Sequence, residues 1–480
     1  MSTDRDTRWR AMSVALVAGF MTLLDVSIVN VALPSIQADL GLGSGQLQWV
    51  LSGYALTFGL LLVPAGRFGD ARGRRSVFIT GLAVFTLASA AAGLATGPLW
   101  LVVARLVQGA AAGVISPQVS GLIQQLFEPR ERGRPFGLLG AIIGISTAVG
   151  PLLGGLLIAV FGAEQGWRWI FYINVPIGIA AIVLGRRWIP AGTPQRRRHE
   201  DLDPVGVLLL GSAVLLLLLP LVQEREWHGP GKWLLVPAAV LLGAAFLLWE
   251  HRYARRGTPV VDLGLFRQRS YGLGALIALL YFAGFTSIFF TYTLFLQSGL
   301  GYSALEAGLA VTPFALGGAA ASAVGGRLVN RYGRILVLAG LALVAAGLGL
   351  TLLALHFVPG ADAGWAAALP LLVAGVGSGL VISPNQTLTL SEVPVRRAGS
   401  AGAVVQTGQR IGTAVGIAAV GAVFFAQLAA NGGSWGLAFR TALLVTIGFV
   451  LVALAAAAVD VLSGHRNPPA PERAEVAAAH

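Results

Sequence analysis

Fourteen stretches of about 20 largely apolar residues, parted by short polar or basic segments, set the terms on which this chain can fold. They run over roughly 11–33, 48–66, 76–96, 99–121, 136–159, 168–186, 204–222, 232–250, 271–296, 305–326, 334–356, 365–388, 400–426 and 436–462. In lipid every backbone N–H and C=O must be bonded within the protein, so each stretch is expected to be a membrane-spanning helix. Composition agrees. Of the 480 residues 56% are apolar and 11% charged, whereas a soluble domain carries about 25% charged. Too little charge is left for a polar skin, which excludes a soluble enzyme, a nucleic-acid-binding domain and a disordered chain. The first stretch does not read as a cleaved signal peptide: it is long, Asp25 interrupts it, and no small-residue cleavage site follows. The absence of cysteine excludes a disulfide framework, a Cys-ligated zinc and a thiol nucleophile.

The net charge of +12 has the pattern of membrane topology. Lys232 is the one lysine, and the arginines come in clusters between apolar stretches. With a cytoplasmic N-terminus, 27 basic residues fall in cytoplasmic segments and 3 (Arg168, Arg225, Lys232) in outer loops. Clusters such as Arg72/Arg74/Arg75, Arg196–Arg198 and Arg255/Arg256 are what cytoplasmic loops of a membrane protein carry. The bias predicts an even number of spans and cytoplasmic termini.

The chain also repeats itself. GRFGDARGRR (66–75) returns as GRLVNRYGR at 326–334, with an offset of 260. GVISPQ (113–118) returns as GLVISPNQ (379–386), Pro117 matching Pro384. STAVG (146–150) returns as GTAVG (412–416). Six spans occupy about 175 residues, so the offset leaves a surplus of about 90, which spans seven and eight fill. The expected architecture is all-α and integral to the membrane: two parallel six-helix bundles (1–200 and 252–463), two inserted helices (201–251) and a cytoplasmic tail (464–480).

These features resemble the major facilitator superfamily, specifically its fourteen-span drug:proton antiporters. LDVSIVNVALP (24–34) is similar to that branch's first-span signature, and WRWIFYINVPIG (167–178) to a sequence typical of it. GRFGDARGRR is similar to the loop signature after span two, RLVQGAAAG (105–113) to that of span four, and GPLLGG (150–155) to the antiporter motif of span five. In the second loop copy Asn330 stands where Asp70 stands in the first.

Asp25 is the one acid well inside a span, at a cost of about 2.5–3.5 kcal/mol on insertion scales. Burial penalises its charged form, which suits a group that takes up and releases protons. The plainer reading is a carboxylate that only hydrogen-bonds neighbouring helices. Arg105, in span four, needs an acid or several carbonyls. The resemblance implies a part in proton transfer, and a helix–helix clamp is the alternative. Gln108 lies one turn along and is expected to face the same way. Asn30 is expected to be interhelical glue.

The resemblance makes Gly66, Arg67, Asp70 and Arg74 a cytoplasmic gate between the halves, and the arginines are positive-inside anchors in any case. Gly140, Gly144, Gly150, Gly154 and Gly155 permit close helix contact, and Pro151 loosens their helix. Tyr281, Phe282, Phe285, Phe289, Phe290 and Tyr292 crowd span nine, read here as mostly lipid-facing, with Tyr281 and Phe285 candidates for a cavity wall. Asn30, Gln108, Asn385, Gln386, Gln409 and Arg410 complete the candidate substrate cavity.

The resemblance implies proton-coupled export of small, largely apolar drugs or antibiotics across a bacterial-type cell membrane by alternating access. The alternative is a proton-coupled transporter of a specific metabolite. No phosphate-binding GxxxxGK loop, nucleophile elbow or metal-ligand spacing is present, so neither enzyme activity nor a metal or organic cofactor is expected. The partners expected are the substrate, protons and the bilayer, with no nucleic acid, and the chain is expected to be a monomer.

Overall fold

The structure is a computed structural model that describes residues 2–466 except 163, 192–202, 223–226, 228, 256, 258 and 359. Arg196–Arg198, Arg225, Arg256, Arg473 and residues 467–480 of the expected tail lie outside the described residues.

Among the described residues all regular elements are helices. In chain order the helices are α1 (Ser2–Leu40), α2 (Ser44–Arg72), α3 (Arg74–Gly93), α4 (Pro98–Leu126), α5 (Gly133–Phe161), α6 (Gly166–Tyr172) and α7 (Asn174–Trp188). Then come α8 (Pro204–Val222) and α9 (Leu235–Tyr253). The rest are α10 (Arg269–Leu294), α11 (Ala304–Tyr332), α12 (Arg334–Phe357), α13 (Ala363–Ala366), α14 (Ala368–Thr389), α15 (Ala398–Ala430) and α16 (Trp435–Arg466). Thirteen described helices, taking α6 and α7 as one, are long and apolar enough to cross a bilayer. The seventh expected span is the shorter apolar helix α8, which runs into undescribed residues.

Several helices outrun their apolar stretches: α1 continues to Leu40 and α15 covers 33 residues. Hydropathy marks the part in lipid, but a helix satisfies its own backbone and stops only where another residue ends it. For α1 that is Gly41, at φ 63°.

The sequence repeat appears as repeated packing. α1 lies on α5 as α10 lies on α15, α2 on α4 as α11 on α14, and α3 on α4 as α12 on α14. The tight turns match too: Gly73 between α2 and α3 sits at φ 100°, and Gly333 between α11 and α12 at φ 53°. A side chain there would be strained, so glycine holds both positions. The two halves meet through α5 on α11 and α14, and through α15 on α2 and α4. α8 packs on α2 and α15, with Val214 and Leu218 against Leu56. α9 pairs with α8 and leaves Val240, Leu241, Leu247 and Leu248 outward.

Small residues set these approaches. A Cβ on Gly133 would come 2.2 Å from the Gly326 carbonyl oxygen, and one on Gly326 equally near that of Gly133. Lipid tails are as apolar as leucine, so close backbone approach, not hydrophobic exclusion, draws such helices together.

A buried ion pair and an inter-half cap as the candidate functional site

Asp25, on α1, is completely buried and ion-pairs with Arg105 of α4, itself 1% exposed. Gln108 Nε2 donates to Asp25 Oδ1 at 2.8 Å, and Asn174 Nδ2 at the start of α7 donates to the same oxygen at 3.2 Å. Both amides also donate to Ser89 Oγ of α3, at 3.2 and 3.1 Å. Arg105 Nε donates to the Val50 carbonyl at 3.1 Å, Nη1 to Gln108 Oε1 at 2.8 Å, and the guanidinium lies 4.3 Å from the Tyr54 ring centre. Four helices therefore seat one carboxylate. A buried pair offsets its desolvation only when its other lone pairs and protons are also bonded, and here Asp25 Oδ1 takes two amides while Arg105 Nε and Nη1 each reach an oxygen.

The expected alignment of Asp25, Arg105 and Gln108 is present. Sequence reading missed Ser89, Tyr54 and Asn174. Asn174 lies inside the 167–178 motif and was within reach, whereas Ser89 in an alanine-rich stretch carries no signal. Asn30 is exposed, and its amide donates to Val26 of its own helix at 3.2 Å, so it glues no neighbouring helix.

The gate residues sit at the end of α2. Asp70 accepts from the Gly399 N–H at 3.1 Å, and from the Ser400 N–H and Oγ at 2.8 Å each. These donors open α15, so a carboxylate of one half caps a helix of the other, where the helix dipole favours a negative charge. Arg74 pairs with Asp70 at 2.8 Å and reaches the carbonyls of Gly121 (2.7 Å) and Val395. Gly66 lets the helices close: its Cβ would lie 2.7 Å from the Gly399 oxygen. Arg67 is buried on the other side of Ser400, lining a small cavity with that residue, Val260, Asp262 and Tyr271. In the second copy Asn330 donates to the Arg130 carbonyl across the halves, while Arg334 binds Asp460 and Asn385 Oδ1, both at 2.8 Å.

The α5 glycines serve two interfaces. Gly140 faces Ser322 and Gly144 faces Ala315, both on α11, whereas Gly150 and Gly154 face Ser27 and Ile28 on α1. Ser27 Oγ donates to the Ser146 carbonyl at 2.9 Å, one turn before Pro151. Gly155 faces open space and mediates no close helix contact, contrary to expectation.

The expected cavity residues do not gather in one place. Phe285 lines a cavity between the halves with Phe289, Phe314, Gly140, Gly144 and Thr147. Tyr281 is buried behind it, ring centres 5.6 Å apart, and Tyr292 is buried against Phe439. The α10 aromatics thus turn largely inward, a correction to the lipid-facing reading. Asn385 is held by Arg334 and by the Gly274 carbonyl (2.8 Å). Gln386 reaches Ser120 of α4 at 3.3 Å. Gln406 contacts the same hydroxyl at 3.2 Å and accepts from Ser116 at 2.6 Å. Gln409 and Arg410 are half-buried one turn further along α15, with the Arg410 guanidinium 4.2 Å from the Phe58 ring centre.

Known proteins resemble this chain in sequence and in fold. The family model described as Major Facilitator Superfamily matches residues 15–417. A probable actinorhodin transporter of Streptomyces coelicolor is 37% identical over 88% of this chain and 73% of its own. The multidrug resistance protein Stp of Mycobacterium tuberculosis is 36% identical over 86% of this chain and 75% of its own. A puromycin resistance protein of Streptomyces alboniger is 36% identical over 87% and 82% respectively. Among solved structures, a human organic anion transporter superposes with TM-score 0.68 at 14% identity, over 94% of this chain and 99% of that one. A proton:xylose symporter gives 0.66 at 16% identity, over 94% and 95%. At those identities the two structures speak for the fold alone. By family match, relatives and fold, the chain belongs to the major facilitator superfamily of membrane transporters.

Proposed function

We propose that this protein is a proton-driven exporter of small, largely apolar drugs or antibiotics, working by alternating access. In this reading it has fourteen spans, cytoplasmic termini and a monomeric state. Residues 1–200 and 252–463 form the moving bundles, 201–251 an inserted pair and 464–480 a cytoplasmic tail. The names of the relatives support drug export. The observation that carries proton coupling is the sealed Asp25–Arg105 pair, since a titratable group with no solvent contact must be reached by a change of conformation. The Asp70 cap on α15 and the Gly133–Gly326 contact support a second point: the end of the bundle bearing the α2–α3 turn is closed here. One proton crossing about 100 mV supplies about 2.3 kcal/mol. At about 1.4 kcal/mol per tenfold, that sustains a gradient of about forty-fold.

The test is a drug-susceptibility panel in an efflux-deficient host, followed by purified protein in proton-loaded liposomes. An antiporter releases protons when its substrate is added. Unchanged susceptibility throughout, with no substrate-dependent proton release, contradicts the reading.

A further inference from the structure

The cations of the bundle are not all compensated. Arg105 has Asp25, Arg74 has Asp70, and Arg334 has Asp460. Arg410 stands apart: among the described residues it makes neither a hydrogen bond nor an ion pair, and it lies on the face of Phe58 of α2 with Tyr54 near by. It is half-buried, so part of its surface stays open between the halves. At 1.5 Å per residue it lies about 18 Å along α15 from Ala398, too deep for its side chain to reach a lipid phosphate at that end. Carrying a full charge there is costly, and arginine does not shed its proton to avoid the cost. A guanidinium with free donors and one face on an aromatic ring is a fitting seat for an anion, which it can hold by two parallel hydrogen bonds. Phe58 and Tyr54, buried with ring centres 6.2 Å apart, back the guanidinium on the α2 side.

We propose that Arg410 is the substrate-recognition cation of this exporter, and that its preferred cargo is an amphipathic aromatic anion bearing a carboxylate or an ionised phenol. This rests on the export reading and names its substrate class. The bound anion supplies the charge that the protein withholds.

Two xanthene dyes of like shape and opposite charge make the test: fluorescein, an anion, and rhodamine 123, a cation. Anisotropy titration of purified wild type should give tighter binding of fluorescein. Arg410→Gln should weaken fluorescein at least about tenfold more than rhodamine 123, the loss expected for a hydrogen-bonded charge. Arg410→Lys should recover part of the preference, and a melting curve for each variant identifies misfolding. Equal wild-type binding of the two dyes, no binding of fluorescein, or equal weakening of both in Arg410→Gln overturns the proposal. Flux in proteoliposomes under a pH gradient separates the two readings. Movement of rhodamine 123 but not fluorescein overturns the anion assignment and leaves export standing, whereas movement of neither counts against both.

Discussion

Asp70 and Ser400 tie the two halves together: the carboxylate in the last turn of α2 takes both the backbone N–H and the hydroxyl of Ser400, in the first turn of α15, each at 2.8 Å. Asp70→Asn would remove the charge and turn half of the group into a donor facing N–H groups. We expect a loss of about 1–3 kcal/mol from the closed form, slower transport, and little change in equilibrium drug binding. Ser400→Ala, which keeps the N–H bond, should do the same more weakly. A large loss of binding with normal expression would place Asp70 in the substrate site instead.

Gly326→Ala should open the same end by a different route. Its Cβ would sit 2.2 Å from the Gly133 carbonyl oxygen, and backbone cannot step aside as a flexible side chain can. Because the chain has no cysteine, spin labels at Arg72→Cys and Arg396→Cys report the separation of the halves without background. The distance distribution should shift to longer values. An unchanged distribution would mean that the α5–α11 contact does not hold the end closed.

Much of this was legible in the residues. Apolar length located the helices, and a lone acid and a lone arginine in apolar surroundings announced each other as Asp25 and Arg105, because neither is affordable alone in lipid. The partner of Asp70 was not legible: it is chiefly the backbone N–H groups at a helix start, which have no side-chain signature. The direction of the α10 aromatics was hidden for a related reason. A helix apolar on all sides carries no period that tells lipid from core, and Tyr281 was turned inward by packing against Phe285. The spread of Gln108, Asn385, Gln386 and Arg410 over separate contacts likewise depends on which helices meet.

Deleting residues 204–250 should leave a folded transporter with reduced activity. α8 touches α2 and α15 over a small apolar patch around Leu56 and Leu218, and α9 touches chiefly α8. A monodisperse peak in detergent with a lower melting temperature is expected. Aggregation of the shortened chain would make the pair integral to the bundle.

Arg105→Ala should destabilise the protein more than Asp25→Asn does. The first leaves a buried carboxylate with only the Gln108 and Asn174 amides, at a cost of about 3–5 kcal/mol. The second leaves an arginine that still holds the Val50 carbonyl, the Gln108 oxygen and the Tyr54 face. Thermal melts of the two variants in one detergent give the order directly, and the reverse order would mean that the pair is not what fixes these helices.

The central claim is that Asp25 carries the proton, and gradient-driven efflux from vesicles loaded with a transported drug tests it most directly. Asn keeps the shape of Asp25 and can accept from the Gln108 amide, but it has no proton to exchange. With Asp25→Asn, efflux under an imposed pH gradient should fall to the level of protein-free vesicles. Exchange of drug without a gradient should persist, because it moves no net proton. Gradient-dependent efflux near the wild-type rate in Asp25→Asn would contradict the account and send the search for the coupling group to other acids.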